Sequence, residues 1–196
     1  SGMIVSRSRQ AQIKRVGTLE GGTLTTEVPG GLVIYDREIS DRRESAGYGG
    51  RYLISAPLAD SAPDRPMAVT VAGVRNVLGG GSLVRFLYPS TFSGGLYLVN
   101  GGVWFDGDAM LGAATGRVVA AGLCALRPSG NVLETGAQRP IEIRPNSALQ
   151  LLGTAGDSQV ASRIRGPVSG GGALVTGEFV GGGLKTIAEL TGDNNG

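Results

Sequence analysis

The sequence predicts an all-β fold: an antiparallel β-sandwich or barrel of short strands with glycine-rich turns and little helix. Three observations predict it. Thirty-five of the 196 residues are glycine. Most fall in clusters: Gly21-Gly22, Gly30-Gly31, Gly49-Gly50, Gly79-Gly80-Gly81, Gly94-Gly95, Gly101-Gly102, Gly170-Gly171-Gly172 and Gly181-Gly182-Gly183. Glycine supplies positive-φ turns and interrupts helices. The runs between the clusters are short and rich in Val, Ile, Leu, Tyr and Thr, which favour strands. Finally, no helical stretch of about 12 residues separates two strand candidates, which argues against parallel βαβ units.

Along the chain, Gln12 to Leu19 alternates loosely and stops at a Gly-Gly turn. Thr23 to Val28 alternates, and Pro29-Gly30-Gly31 turns into Leu32 to Tyr35. Asp36 to Gly50 is the most charged stretch and reads as an exposed loop. Arg51 to Ala56 resumes as a strand, and Pro57 to Pro66, with three prolines, is a second loop. Met67 to Val77 alternates around Gly73, where a bulge is expected. Ser82 to Leu87, Leu96 to Val99 and Val103 to Phe105 follow as a meander, and Asp106-Gly107-Asp108 as a tight turn.

Gly116 to Leu126 reads as one long apolar strand buried on both faces. Ile141 and Ile143 alternate with Glu142 and Arg144, one face in and one out. Ser158 to Arg165, Ala173 to Val180 and Leu184 to Leu190 complete the strands; the last reads equally well as a short helix. Gly192 to Gly196 is a tail. The glycine clusters show no fixed period, which argues against a propeller or a β-solenoid. The expected organisation is a basic N-terminal arm (1–15), a β core (16–146) and a C-terminal β extension with a short tail (147–196). Ser1-Gly2 before Met3 has the look of a cloning scar.

Composition restricts function more than it identifies it. The apolar share is 41% and the charged share 17%, outside the range of disordered chains. Net charge is +2, so no global field draws in nucleic acid or acidic lipid. Histidine is absent, which removes the commonest general base and metal ligand. Cys124 is the single cysteine. It allows no internal disulfide, and its apolar surroundings read as those of a buried, inert thiol. No stretch has the length of a membrane span, and no signal-peptide core is present.

No motif supports catalysis, a cofactor or a metal. Asp106-Gly107-Asp108 has the alternating carboxylates of a calcium loop but lacks the remaining ligands. Gly47-Tyr48-Gly49-Gly50 has neither the helix nor the Lys-Ser/Thr of a phosphate cradle. Glu38, Asp41 and Glu44 are interleaved with Arg37, Arg42 and Arg43, the pattern of a salt-bridged loop. The candidate protein contacts are Arg7, Arg9, Lys14 and Arg15 in the arm, and Arg37, Arg42 and Arg43 in the charged loop. Trp104, Tyr97 and Tyr88 are the candidates for stacking a ligand.

Arg65-Pro66-Met67-Ala68-Val69-Thr70-Val71-Ala72-Gly73-Val74, Gly101-Gly102-Val103-Trp104-Phe105-Asp106, and Gly116 to Leu123 followed by Ile141 to Asn146 share an order of strands and turns. In that order the region 65–146 resembles the small decoration, or cement, proteins of bacteriophage capsids. The chain departs from that pattern in its length, its charged 36–50 loop and its C-terminal extension. The resemblance implies a non-enzymatic virion structural protein that bridges shell subunits and forms a homo-oligomer, a trimer above all. Its partners would be other capsid or virion subunits, with no membrane and no specific nucleic acid. The alternative is a carbohydrate- or receptor-binding β-sandwich module of a spike or tail.

Overall fold

The computed structural model describes residues 2–6, 17–36, 51–73, 83–128, 132–136, 138–152, 161–177 and 187–190. Among them the only helix is a single 3-10 turn, Asp108–Leu111. All other regular structure is β, and every strand-to-strand pairing is parallel. This corrects the antiparallel sandwich or barrel. The protein is a parallel β-solenoid.

The chain climbs through successive rungs. They are β1 (Gly2–Ser6) with β2 (Gly17–Glu20), β3 (Leu32–Asp36) with β4 (Arg51–Ser55), and β5 (Val69–Gly73) with β6 (Leu83–Phe86). Next come β7 (Leu96–Val99) with β8 (Gly102–Phe105), and β9 (Val118–Ala121) with β10 (Leu123–Pro128) and β11 (Val132–Glu134). The last two are β12 (Ile141–Ile143), β13 (Ala148–Leu152) and β14 (Ala161–Ile164), then β15 (Val168–Ser169), β16 (Ala173–Gly177) and β17 (Ile187–Leu190). The opening strands of the rungs stack into a first seven-stranded sheet, and the second strands into a second sheet of the same size. In the last three rungs a short third sheet, β11-β14-β17, is added.

Stacked identical positions build the core. In the first sheet Leu32, Val69, Leu96, Val118 and Ile141 lie in register. So do Ile34, Val71, Leu98, Ala120 and Ile143, and every one of these side chains is buried. The second sheet answers with Val84, Val103, Leu126 and Leu151. β-branched and leucine side chains at alternate positions thus fill the space between the sheets, at about 25 cal/mol per Å² of apolar surface removed from water. Cys124 is buried, as its sequence neighbourhood predicts.

The glycine clusters explain why the sequence misleads. Those among the described residues do not reverse the chain within one sheet, as hairpin turns do; they lie at corners between one sheet and the other, while Gly49-Gly50, Gly79-Gly80-Gly81 and Gly181-Gly182-Gly183 lie outside the described residues. The run Gly116 to Leu126 is the clearest case, because it is two strands in different sheets with Gly122 at the corner. Gly122 has φ +79, and a Cβ there would lie 2.1 Å from the Asn100 side-chain oxygen of the rung before. Its N–H donates to Ser147 Oγ of the rung after, at 2.9 Å, and Asn100 Oδ1 accepts from Leu123 N at 3.0 Å. Only glycine combines the left-handed conformation with that close approach.

Other boundaries move less. Thr23 to Val28 contributes one bridge, Leu24 to Leu58, instead of a strand. Of Met67 to Val77 the described part holds β5, and of Leu184 to Leu190 it holds β17, a strand and not a helix; Val74 to Val77 and Leu184 to Thr186 lie outside the described residues. From Ala148 onward the chain continues the same two sheets. Rungs differ in length, from Leu96-to-Val118 at the shortest to Leu32-to-Val69 at the longest. That variation conceals the repeat.

Candidate functional site

Alternation carries the core pattern to the outside. In the second sheet Val84, Val103 and Leu126 point inward, so the residue after each points out. Those residues are Arg85 on β6, Trp104 on β8 and Arg127 on β10, placed side by side by the parallel register. The guanidinium carbon of Arg85 lies 4.5 Å from the indole centroid, and that of Arg127 lies 4.6 Å from it. Because the two arginines come from the strands flanking β8, they cover opposite faces of the ring. Each such cation–aromatic contact is worth about 0.5–2 kcal/mol, more where water is excluded.

The ladder is partly withdrawn from solvent. Trp104 is 8% exposed and the Arg85 side chain 26% exposed. Asp106, just beyond Trp104, approaches Arg85 Nη2 at 3.5 Å. The Nε of Arg85 is buried and has no hydrogen-bond partner among the described residues. Beside the ladder runs an apolar row in register, Leu83, Gly102 and Ala125. Gly102 and Ala125 of that row are buried, as is Trp104, so little of this face meets solvent. Guanidinium forks of this kind suit carboxylate and other oxyanions, and they cannot act as acid or base near neutral pH.

Two other polar clusters serve the fold. Arg139 is fully buried and grips Asp108 through Nε (2.6 Å) and Nη2 (3.0 Å). It also donates to the carbonyls of Asp108, Leu111, Gly112 and Gly116. These bonds fix the 3-10 turn and the segment leading into β9. Asp108 therefore belongs to a structural clamp, consistent with turn chemistry at Asp106-Gly107-Asp108. Asp60 accepts from Met67 N (2.6 Å), Ser93 N (3.0 Å) and Ser93 Oγ (2.7 Å), joining the 57–66 loop to the corner before β7. Burial pushes its carboxyl pKa up, but the three hydrogen bonds outweigh it and the net shift is downward.

The stacking candidates are not brought together. Trp104 has both ring faces covered by arginine. Tyr97 is on the other sheet, half-buried on its outer face in register with Thr70 and Val119. Tyr88 is exposed in the segment after β6. Arg7, Arg9, Lys14, Arg15, Arg37, Arg42 and Arg43 all lie outside the described residues. Among the described residues no group of three or more Cys, Asp or Glu side chains is placed to hold a metal ion. No helix among them is long and apolar enough to cross a membrane.

Arg85 and Arg127 were not legible as a pair, because they are far apart in sequence and meet only through the register. The available signal is a shared local pattern: Val84-Arg85-Phe86, Val103-Trp104-Phe105 and Leu126-Arg127-Pro128 each set the outward residue behind an inward apolar one. No family model, no curated protein and no solved structure matches this chain.

Proposed function

We propose that the chain is a non-enzymatic structural protein of a virion, a rigid solenoid that presents flat sheet faces to neighbouring subunits. The observation that carries this reading is the architecture: two continuous seven-stranded parallel sheets around one core. Such stacked rungs resist bending and offer extended surfaces for partners. The sequence lends support through its missing histidine and its likeness, over 65–146, to capsid decoration proteins. That likeness concerns the order of segments and not the antiparallel fold expected with it.

The outer face of the first sheet is suited to contact. Val33, Thr70, Tyr97 and Val119 form an uncharged run of one row, which continues to Glu142 and Ser169, and Tyr35, Ala72, Val99 and Ala121 form an uncharged run of a second. Val99 is 39% exposed. Light scattering coupled to gel filtration, at two concentrations, tests the proposal. A closed homo-oligomer, weakened by replacing Arg7, Arg9, Lys14 and Arg15 while β1 is kept, is the expected result. A monomer at high concentration with no affinity for any capsid shell would contradict it.

A further inference from the structure

We infer that Asn100-Gly101 is a latent modification site: a peptide link that the closed corner between β7 and β8 protects, and that converts irreversibly to isoaspartate when the corner opens. The inference does not rest on the function proposed above. An asparagine followed by glycine is prone to deamidation because no side chain shields the glycine nitrogen. That nitrogen attacks Cγ of Asn100 and closes a succinimide ring. The side-chain amide leaves as ammonia, taking the proton of the attacking N–H. Water then opens the ring to aspartate, or to isoaspartate with the main chain running through Cγ. No oxidant, metal or second protein is required.

Burial does not protect the pair, since Asn100 is exposed. Its conformation does. Asn100 has φ 47, and a non-glycine residue at positive φ lies in the left-handed region. There the following nitrogen is turned roughly opposite Cβ, so ring closure demands rotation of the Asn100-Gly101 peptide. The rung after holds that peptide on both flanks. Asn100 N donates to Ala121 O at 3.0 Å, and Asn100 Oδ1 accepts from Leu123 N at 3.0 Å. Gly101 O accepts from Ala125 N at 3.1 Å. The rung before closes the other side, where a Cβ on Gly101 would stand 2.9 Å from Val71 O. Rotation therefore waits for the corner to part from its neighbours, a local opening. Aspartate leaves an oxygen for Leu123 N. Isoaspartate instead lengthens the main chain between β7 and β8, so a transient opening becomes permanent.

The test incubates the unaltered protein at mildly alkaline pH, in buffer and in unfolding urea. Fragment masses and isoaspartate content are then read at residue 100. Conversion should be at least about tenfold slower in the folded protein, where only the opened fraction reacts. Gly122→Ala, which crowds the Asn100 side chain, should speed conversion in buffer and leave the rate in urea unchanged. Equal rates in buffer and urea, no conversion at Asn100 in urea, or a folded Gly122→Ala protein no faster than the unaltered one would overturn the inference. The comparison of buffer with urea decides even if Gly122→Ala fails to fold.

Discussion

Arg139 carries a full charge into the interior, and all five N–H groups of its fork find acceptors. Asp108 balances that charge from a position 20% exposed. Removing one partner of such a pair leaves the other buried and uncompensated. Asp108→Asn should therefore lower unfolding free energy by about 3 kcal/mol, read from urea denaturation; Asp106→Asn, at an exposed ion pair, should change it little. Asp60 sets a pH dependence. Its folded pKa lies below the ordinary 3.8, so its contribution is complete above that value and disappears as pH falls through the folded one. The difference in melting temperature between the native protein and Asp60→Asn should be full at neutral pH and shrink steadily in acid below 3.8. A difference that grew on acidification would contradict the assigned shift.

Strands and corners divide the labour between side chain and backbone. The alternation of Val69 and Val71, and of Ile141 and Ile143 around Glu142, was legible because period-two patterning depends on one strand alone. Strand direction was not, because a parallel partner lies a whole rung away and leaves no local mark. The corner at Gly122 was hidden for the same reason: its demand comes from Asn100 and Ser147, a rung before and a rung after. Arg85 and Arg127 share that dependence on register, so Trp104 alone stood out in the sequence. Gly122→Ala should cost about 2 kcal/mol or more, since it combines left-handed backbone with a methyl group thrust against Asn100. Thermal or urea unfolding of the single variant checks this, and a neutral outcome would mean that the corner is laxer than its geometry.

As a whole, the molecule is a stack in which each rung is held by the rungs above and below it. Segments of unequal length separate the paired strands without changing their register, so the sequence loses its period while the fold keeps it. The central claim is that parallel register, and pairs of spin labels on the outer face of the first sheet test it most directly. Val33, Thr70, Glu142 and Ser169 occupy one row along the solenoid. In a Cys124→Ala background, Thr70–Glu142, Thr70–Ser169 and Val33–Ser169 are three, four and five strand spacings apart, about 14, 19 and 24 Å between backbones. Electron–electron distance measurements should rise in even steps of about 4.8 Å from pair to pair. Distances that fail to follow rung separation would contradict the solenoid and every surface described on it.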